Sequence, residues 1–297
     1  MKMISWNIAR RAEAWRCLPD SGCDIALLQE APAPPADIVD RIECGSAPWR
    51  TAGAGTNRAW RSAVVRLSDR VRVEWLDPKS IEEAIPGELA VSRPGTLDAA
   101  IVTPESGNPF TVISLYGAWE KPLTGLQSSW IYADASVHRL ISDLSVLIGH
   151  QTRHRILAAG DLNILHGHGE HGSRYWADRY ATVFNRMETL GLSFAGPQAP
   201  DGRSADPWPD ELPKESKNVP TYHTNRQTPA TSTRQLDFVF ASTGLTSRIR
   251  VKVLNEPADW GRMTTAGLKL MLDKLTLGKT STSGNYYPLL NRIFRYE

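Results

Sequence analysis

Cysteine and long apolar runs are both scarce in this 297-residue chain. The three cysteines, Cys17, Cys23 and Cys44, form no metal-type pair and leave one over in any disulfide scheme, which argues against a disulfide scaffold and a cysteine zinc site. No stretch approaches the ~18 consecutive apolar residues of a membrane span. The first residues lack the apolar segment of a secretion signal. We therefore expect a protein without a membrane span, located in the cytoplasm.

An excess of charge of one sign is also lacking, since the net charge is only +2. A strongly basic body would have favoured a nucleic-acid partner through neutralisation of phosphates. This composition neither favours such a partner nor excludes it. With 41% hydrophobic residues the chain can bury a substantial core, either in one large α/β domain or in two small ones.

Several short apolar runs bounded by turn residues are typical of buried strands. They lie at 3–8, 25–29, 62–66, 99–103, 111–116, 155–159, 236–241 and 248–254. Helical periodicity is strongest over Trp130–Ile148 and Trp176–Leu190, and the proline-rich stretch Gly196–Pro220 is typical of a surface loop. This pattern predicts two packed sheets with helices outside them.

The composition changes near residue 262. All ten tryptophans lie at or before Trp260, and the preference for Arg over Lys ends at Arg262. Leucines from Leu268 to Leu277 suggest a short apolar helix. We therefore divide the chain into a domain over residues 1–261 and a divergent tail over residues 262–297, and we expect the tail to lie outside the fold.

The strongest local signal for chemistry is Gly160-Asp161-Leu162-Asn163, which follows an apolar run. Because residues two apart project to the same side of an extended chain, Asp161 and Asn163 can converge on one ligand. The carboxylate can bind a divalent metal or accept a proton from water, and the amide can donate to a phosphate oxygen. The alternative is that the two residues only form an Asx-turn where the strand ends.

Four further polar residues lie on, or directly after, otherwise apolar runs. They are Asn7, Glu30, Tyr116 and Asp237. Asp237 lies inside an apolar strand, where an isolated charge is costly unless it is paired or bound to a metal. Each residue alone could be a cap or a turn residue. Acids and amides that meet at one sheet edge would suit Mg²⁺ or Mn²⁺, which prefer oxygen ligands.

In this order the motifs resemble the endonuclease/exonuclease/phosphatase superfamily over about residues 1–261. They are Trp6-Asn7, Leu28-Gln29-Glu30, Ser114-Leu115-Tyr116, Gly160-Asp161-Leu162-Asn163 and Arg234-Gln235-Leu236-Asp237. The resemblance implies a four-layered α/β sandwich, in which two packed mixed sheets are flanked by helices. It also implies hydrolysis of a phosphodiester or phosphomonoester by metal-activated water, with nucleic acid as the preferred substrate.

The resemblance also implies a role for each matching residue. Glu30 resembles the glutamate that binds Mg²⁺, and Asn7 the amide that supports the metal and the phosphate. Asp161 resembles the acid that orients or deprotonates the attacking water and contributes to the metal site, and Asn163 the amide that holds the scissile phosphate. Tyr116 matches a tyrosine that contacts phosphate in abasic-site enzymes. Asp237 resembles the acid that orients a catalytic histidine.

One departure from the family pattern concerns that histidine. The family ends in a Ser-Asp-His motif after a segment like Asn255–Gly261, but Arg262-Met263-Thr264 follows here and no histidine occurs after His223. We therefore expect the fold and metal site to be retained and the activity to be impaired. The alternative function is a non-catalytic member that binds phosphorylated ligands or a protein partner.

Two groups of histidines could compensate for the missing one. His223 precedes Asp237 closely enough for a loop to return it to the site. His166, His168 and His171 directly follow Asn163 and could bind Zn²⁺ or Ni²⁺. A half-buried loop histidine and a solvated loop are the respective structural alternatives. Among the tryptophans, Trp119, Trp130, Trp176 and Trp208 could stack on bases or pack in the core.

Overall fold

The computed structural model describes residues 1–51, 57–120, 132–149, 154–224, 226–260, 265 and 267–272. Its strands are β1 (Lys2–Asn7), β2 (Ile25–Ala31), β3 (Glu43–Cys44), β4 (Arg61–Arg66), β5 (Val71–Trp75), β6 (Lys79–Ser80), β7 (Ala90–Val91), β8 (Leu97–Pro104), β9 (Phe110–Tyr116), β10 (Ile156–Asp161), β11 (Leu192–Gly196), β12 (Asp237–Ser242), β13 (Ile249–Leu254) and β14 (Gly267–Leu272). Its α-helices are α1 (Ala12–Cys17), α2 (Ala133–Leu144), α3 (Arg174–Thr189) and α4 (Thr243–Thr246).

Within these residues the strands form two mixed six-stranded sheets and one small parallel pair, β6–β7. The first sheet has the order β13-β14-β1-β2-β4-β3, and the second has the order β11-β12-β10-β9-β8-β5. Each large sheet contains one parallel pair, β1–β2 or β9–β10, and its other neighbours are antiparallel. The C-terminal ends of β1, β2, β9 and β10 carry the polar residues that the sequence singled out.

The two sheets pack face to face, and helices cover their outer faces. Met3 and Leu27 from the first sheet lie in one buried cluster with Val112 and Leu157 from the second. Helix α1 buries Trp15 against the outer face of the first sheet, whereas α2 and α3 cover the second. Each fully buried aliphatic side chain in these layers contributes about 1.5–3 kcal/mol. The predicted four-layered α/β sandwich is confirmed.

The two predicted helices also form. Helix α2 begins after the predicted start at Trp130, which lies outside the described residues, and α3 matches its prediction closely. Gly191, with φ +74°, ends α3 and donates its backbone N–H to Glu188 O, as a C-terminal cap does. No helix in the described ranges is long and apolar enough to cross a membrane. The proline-rich stretch after β11 contains neither helix nor strand, as predicted.

The expected helix after Arg262 is wrong for residues 267–272. These residues form β14, which lies between β13 and β1 inside the first sheet rather than outside the fold. Leu268 and Leu270 are fully buried whereas Met271 is exposed, which is the period of two expected for a strand. The run of leucines was too short to distinguish a strand from a helix by sequence pattern alone. Residues 273–297 lie outside the described residues.

Candidate active site

The Asn7 side chain connects the two sheets at their C-terminal edge. Its amide nitrogen donates to Glu30 Oε1 at 3.2 Å and to Asp161 Oδ2 at 2.8 Å. Its amide oxygen accepts the backbone N–H of Ala9 at 2.9 Å, so the two N–H groups must face the carboxylates. The sandwich therefore brings together Asn7, Glu30 and Asp161, which are far apart in the sequence.

A β-bulge directs Glu30 toward this point. The register between β2 and β4 shifts between Leu28 and Ala31, and Glu30 has a φ of +47°. A non-glycine residue in this left-handed region costs about 1–3 kcal/mol, and such strain is concentrated at functional sites. The Glu30 carboxylate lies 3.5 Å from Arg10 Nε, and its side chain is 19% exposed. The strand end thus presents an accessible carboxylate beside the Asn7 amide.

Asp161 and Asn163 form an Asx-turn and also lie beside Asn7, so both interpretations offered by the sequence are compatible with the structure. Asp161 Oδ1 accepts the backbone N–H of Asn163 at 2.9 Å, so an Asx-turn is present. Asp161 Oδ2 remains directed at Asn7. Asn163 has a φ of +52°, and its amide nitrogen donates to Gly117 O at 3.0 Å. The Asn163 side chain is therefore not bonded to the Asp161 carboxylate, which accepts from Asn7 instead. The turn therefore holds Asn163 next to the Asp161 carboxylate, and its presence does not exclude a functional role for either residue.

Asp237 lies directly across the sheet from Asp161. The two residues are register partners on β10 and β12, and both side chains are buried. No histidine pairs with Asp237 among the described residues, but the hydroxyl of Thr221, which accepts the backbone N–H of Asp237 at 3.2 Å, also stabilises the charged form of its carboxyl. Arg262, Met263 and Thr264, which stand where the sequence lacks the expected histidine, lie outside the described residues.

Burial dominates the electrostatics of the two aspartates. It raises the pKa of Asp161 to about 7, and the charge of Glu30 acts in the same direction, whereas the hydrogen bonds from Asn7 and Asn163 lower this pKa. Burial and the neighbouring charge of Asp161 raise the pKa of Asp237 well above its usual value. Asp161 is therefore poised to exchange a proton near neutral pH.

Tyr116 ends β9 as the register partner of Asp161. Burial, together with the charges of Glu30 and Asp161, raises the pKa of its hydroxyl, which also hydrogen-bonds Glu30. The hydroxyl is therefore a protonated donor at neutral pH. Trp60 packs edge-on against the Tyr116 ring, with 5.0 Å between ring centroids.

Two further residues near the Asn7 amide, Gln29 and Tyr222, were not predicted from the sequence. Gln29 is fully buried and donates to Ser114 Oγ at 3.0 Å, which ties the two sheets together beneath the site. Tyr222 lines the space beside Asn163, and burial raises the pKa of its hydroxyl, with Arg234 opposing and the charges of Asp161 and Glu30 adding to the effect. A polar residue inside an apolar run was a usable signal for Gln29, but nothing in the sequence distinguished Tyr222.

His166, His168 and His171, for which metal binding was one alternative beside a solvated loop, belong to no metal-type cluster in the described residues. His166 is packed among Phe184, Phe194 and Phe238, and its Nδ1 lies 3.2 Å from Asn218 Oδ1. Burial lowers the pKa of His166, so the ring is neutral and belongs to the core. His223 packs on Trp260 with 5.2 Å between ring centroids. Its substitution for the missing histidine stays a prediction.

A cavity of about 360 Å³ opens beside Asn163. Aromatic side chains and one ion pair line most of it, namely Trp119, Trp176, Tyr180, Tyr222, Glu170 and Arg234. The guanidinium of Arg234 donates to both carboxylate oxygens of Glu170, at 3.2 and 2.7 Å. Trp119 and Trp176 are thus placed near the site as the sequence suggested. Trp208 instead donates its indole N–H to Leu212 O.

The two packed sheets, with acids and amides meeting at one edge, have the fold of several solved endonuclease, exonuclease and phosphatase structures. Similar structures include the AP endonuclease LMAP from Leishmania major, at 16% identity and a TM-score of 0.60, covering 92% of this chain and 87% of that one. An AP endonuclease from Archaeoglobus fulgidus has 16% identity and a TM-score of 0.60, covering 92% and 99%.

The 3'-5' exonuclease NExo from Neisseria meningitidis has 17% identity and a TM-score of 0.53, covering 92% of this chain and 100% of that one. No protein-family model and no curated protein matches the sequence. At these identities the structural likeness establishes the fold alone.

Proposed function

We propose that this chain is a metal-dependent phosphodiester hydrolase that acts on nucleic acid. The observation that carries the proposal is the position of the Asn7 amide, which lies within 3.2 Å of carboxylate oxygens from both sheets. A strained bulge at Glu30 and a buried acid at Asp161 are costly for the fold, and both are directed to this single point. Two destabilising features that meet at one point support a catalytic role for Glu30 and Asp161.

The donor set at this point fits Mg²⁺ or Mn²⁺. Magnesium is commonly held by one or two carboxylates and keeps several waters, so Glu30 and Asp161 would supply the protein ligands, with Asn7 supporting them. A third His, Cys, Asp or Glu side chain does not join them within the described ranges. When bound, the metal would lower the pKa of a water molecule and stabilise the negative charge of the transition state.

The chain's own residues supply the remaining functions in this proposal. Asp161 would accept a proton from the attacking water, because burial raises the pKa of its carboxyl and so makes it a better base. Asn163 has a second amide N–H that is not used by Gly117, and this group would donate to the scissile phosphate. The protonated hydroxyl of Tyr116 would exchange its bond to Glu30 for one to the same phosphate when substrate binds. Asp237 has no histidine to orient among the described residues, so we expect reduced turnover.

The cavity beside Asn163 supports nucleic acid over other phosphodiesters. Its aromatic lining, with Trp119 at the surface, can accommodate the sugar or base adjoining the scissile bond. The structural relatives named above are described as AP endonucleases and an exonuclease, which supports the same class of substrate.

A second candidate function is a non-catalytic protein that binds nucleic acid or another phosphorylated ligand. The specific observation in its favour is Asp237, a buried carboxyl that no histidine meets in the described part of the chain. A member of this fold that had lost the histidine could retain the phosphate-binding surface without turnover.

Cleavage assays with Mg²⁺ or EDTA on abasic duplex DNA, single-stranded DNA, RNA and phospholipid vesicles test the proposal. We expect Mg²⁺-dependent cleavage of at least one nucleic acid, reduced about 10²–10³-fold by Asp161→Asn and by Glu30→Gln. Asn185→Ala, an exposed substitution on α3, is the control and should retain wild-type activity. Binding of nucleic acid without Mg²⁺-dependent cleavage would support the second candidate. Equal activity of the wild type and Asp161→Asn would contradict the assigned site.

A further inference from the structure

Two arginines, Arg93 and Arg139, share the carboxylate of Glu120, and the charge of Arg93 also acts on Arg58, which lies on the Tyr116 side of the site. Arg93 Nη1 lies 2.9 Å from Glu120 Oε1, and Arg139 contacts the same oxygen. Arg58 adds a third guanidinium, which lies 4.8 Å from the centroid of the Trp60 ring. No carboxylate lies within ion-pair distance of Arg58 in the described part of the chain. The group therefore carries more positive than negative charge.

This arrangement is electrostatically unfavourable without an anion. Arg58 and Arg93 are both partly buried, and burial lowers the pKa of each guanidinium. The charge of Arg93 lowers the pKa of Arg58 further, and the charges of Tyr116 and Glu30 oppose this effect. One nitrogen of each guanidinium, Arg58 Nη1 and Arg93 Nε, is buried without a hydrogen-bond partner in the described residues. Buried donors without acceptors cost about 1–3 kcal/mol each, so the pair would gain from an anionic acceptor.

The pair also lies beside the proposed hydrolytic centre. Arg58 stacks on Trp60, Trp60 packs edge-on against Tyr116, and the Tyr116 hydroxyl bonds Glu30. A planar guanidinium matches the geometry of a phosphate group through paired N–H donors. Neither arginine forms a hydrogen bond with Glu30 or Asp161. A phosphate bound by Arg58 and Arg93 would therefore not be the scissile phosphate but one next to it along the strand.

We propose that Arg58 and Arg93 bind a non-scissile phosphate of a nucleic-acid strand, beside Tyr116. The proposal rests on the proposed function for the identity of the substrate, and it assigns these two residues a positioning role. Trp60 holds the Arg58 guanidinium in place, and Glu120 holds that of Arg93. The effect of the pair should therefore appear in substrate binding, in Kd and KM, rather than in kcat.

The salt dependence of binding tests this role without requiring turnover. Anisotropy of a fluorescein-labelled single-stranded oligonucleotide, measured in EDTA at several NaCl concentrations, reports both Kd and the slope of log K against log salt. Each lost phosphate contact on a single strand reduces the magnitude of that slope by about 0.7. We expect Arg58→Gln and Arg93→Gln each to reduce the slope by about this amount and to weaken binding about tenfold at low salt.

Two further variants separate phosphate binding from a structural effect. Arg58→Lys keeps the charge, so it should restore the slope while recovering only part of the affinity. Arg72→Gln is the matched control, because Arg72 is exposed and pairs with Thr103, at the end of β8 remote from Tyr116. It should leave the slope unchanged. Thermal unfolding of every variant should match the wild type within a few degrees.

The possible results are distinct. Equal slopes for Arg58→Gln and Arg72→Gln, loss of kcat with an unchanged Kd, or no oligonucleotide binding by the wild type would each overturn the proposal. Arginine-dependent binding without Mg²⁺-dependent cleavage would support this proposal and contradict the hydrolase. Mg²⁺-dependent cleavage with an unchanged KM in Arg58→Gln and Arg93→Gln would support the hydrolase and contradict the role of the two arginines.

Discussion

The Asn7 amide makes a specific contribution to stability that depends on pH. In the metal-free protein, Asn7→Ala removes a 2.8 Å hydrogen bond to the buried Asp161 carboxyl and a 3.2 Å bond to the partly exposed Glu30. A hydrogen bond to a charged group contributes about 1.5–3 kcal/mol, and a neutral one about 1 kcal/mol. We expect a total loss of about 3 kcal/mol in the free energy of unfolding when Asp161 is ionised.

The sign of the pH dependence follows from the raised pKa of Asp161. Its pKa is about 7 in the folded protein, above the ordinary value of 3.8, so stability is lost as pH rises through 7. The Asn7 hydrogen bond lowers this pKa, and its removal should raise it further. The bond to Glu30 is lost at both pH values, so the deficit of Asn7→Ala should be about 2 kcal/mol near pH 5.5, where Asp161 is protonated, and about 3 kcal/mol near pH 8.5.

Urea unfolding followed by circular dichroism in EDTA, at the two pH values, measures this difference. Asn185→Ala on the exposed face of α3 is the control, and its effect should stay within about 0.5 kcal/mol and be independent of pH. A deficit of Asn7→Ala that is equal at both pH values would refute the reasoning, because the amide would then not stabilise the ionised form of Asp161.

Three further predictions concern the frame around the site. Gly160→Ala places a Cβ only 1.8 Å from a backbone oxygen of β9, so it should cost about 3 kcal/mol or more in urea unfolding, whereas Gly244→Ala meets nothing within 4 Å and should be nearly neutral. Leu270→Ala should cost about 2–5 kcal/mol and Met271→Ala less than about 1 kcal/mol, and equal effects would contradict the placement of β14. Asp237→Asn removes a buried acid whose charged form is disfavoured by burial and by Asp161 and favoured only by the Thr221 hydroxyl, so unfolding in EDTA near pH 8.5 should show a gain in stability, and a loss above about 1 kcal/mol would contradict this reasoning.

Much of the candidate site could be predicted because its residues interrupt apolar strands. Asn7, Glu30, Asp161 and Asp237 are polar residues on or directly after apolar runs, and strand ends that share a sheet edge bring such residues together. The two positioning arginines could not be predicted in this way. Arg58 and Arg93 lie outside strands, in segments whose approach to Tyr116 depends on how the connections between strands pack.

The amino-acid sequence by itself determined eight of the strands, the two longer helices, the two-sheet architecture and the strand ends that carry acids and amides. Local periodicity encodes these features, because burial on one or both faces requires a characteristic spacing of apolar residues. Only the tertiary structure decided that Leu268 and Leu270 belong to a central strand, that the Asn7 amide joins Glu30 to Asp161, and that Asp161 faces Asp237. These relations depend on contacts between residues distant in the chain, and the spacing of residues along one segment carries no information about them.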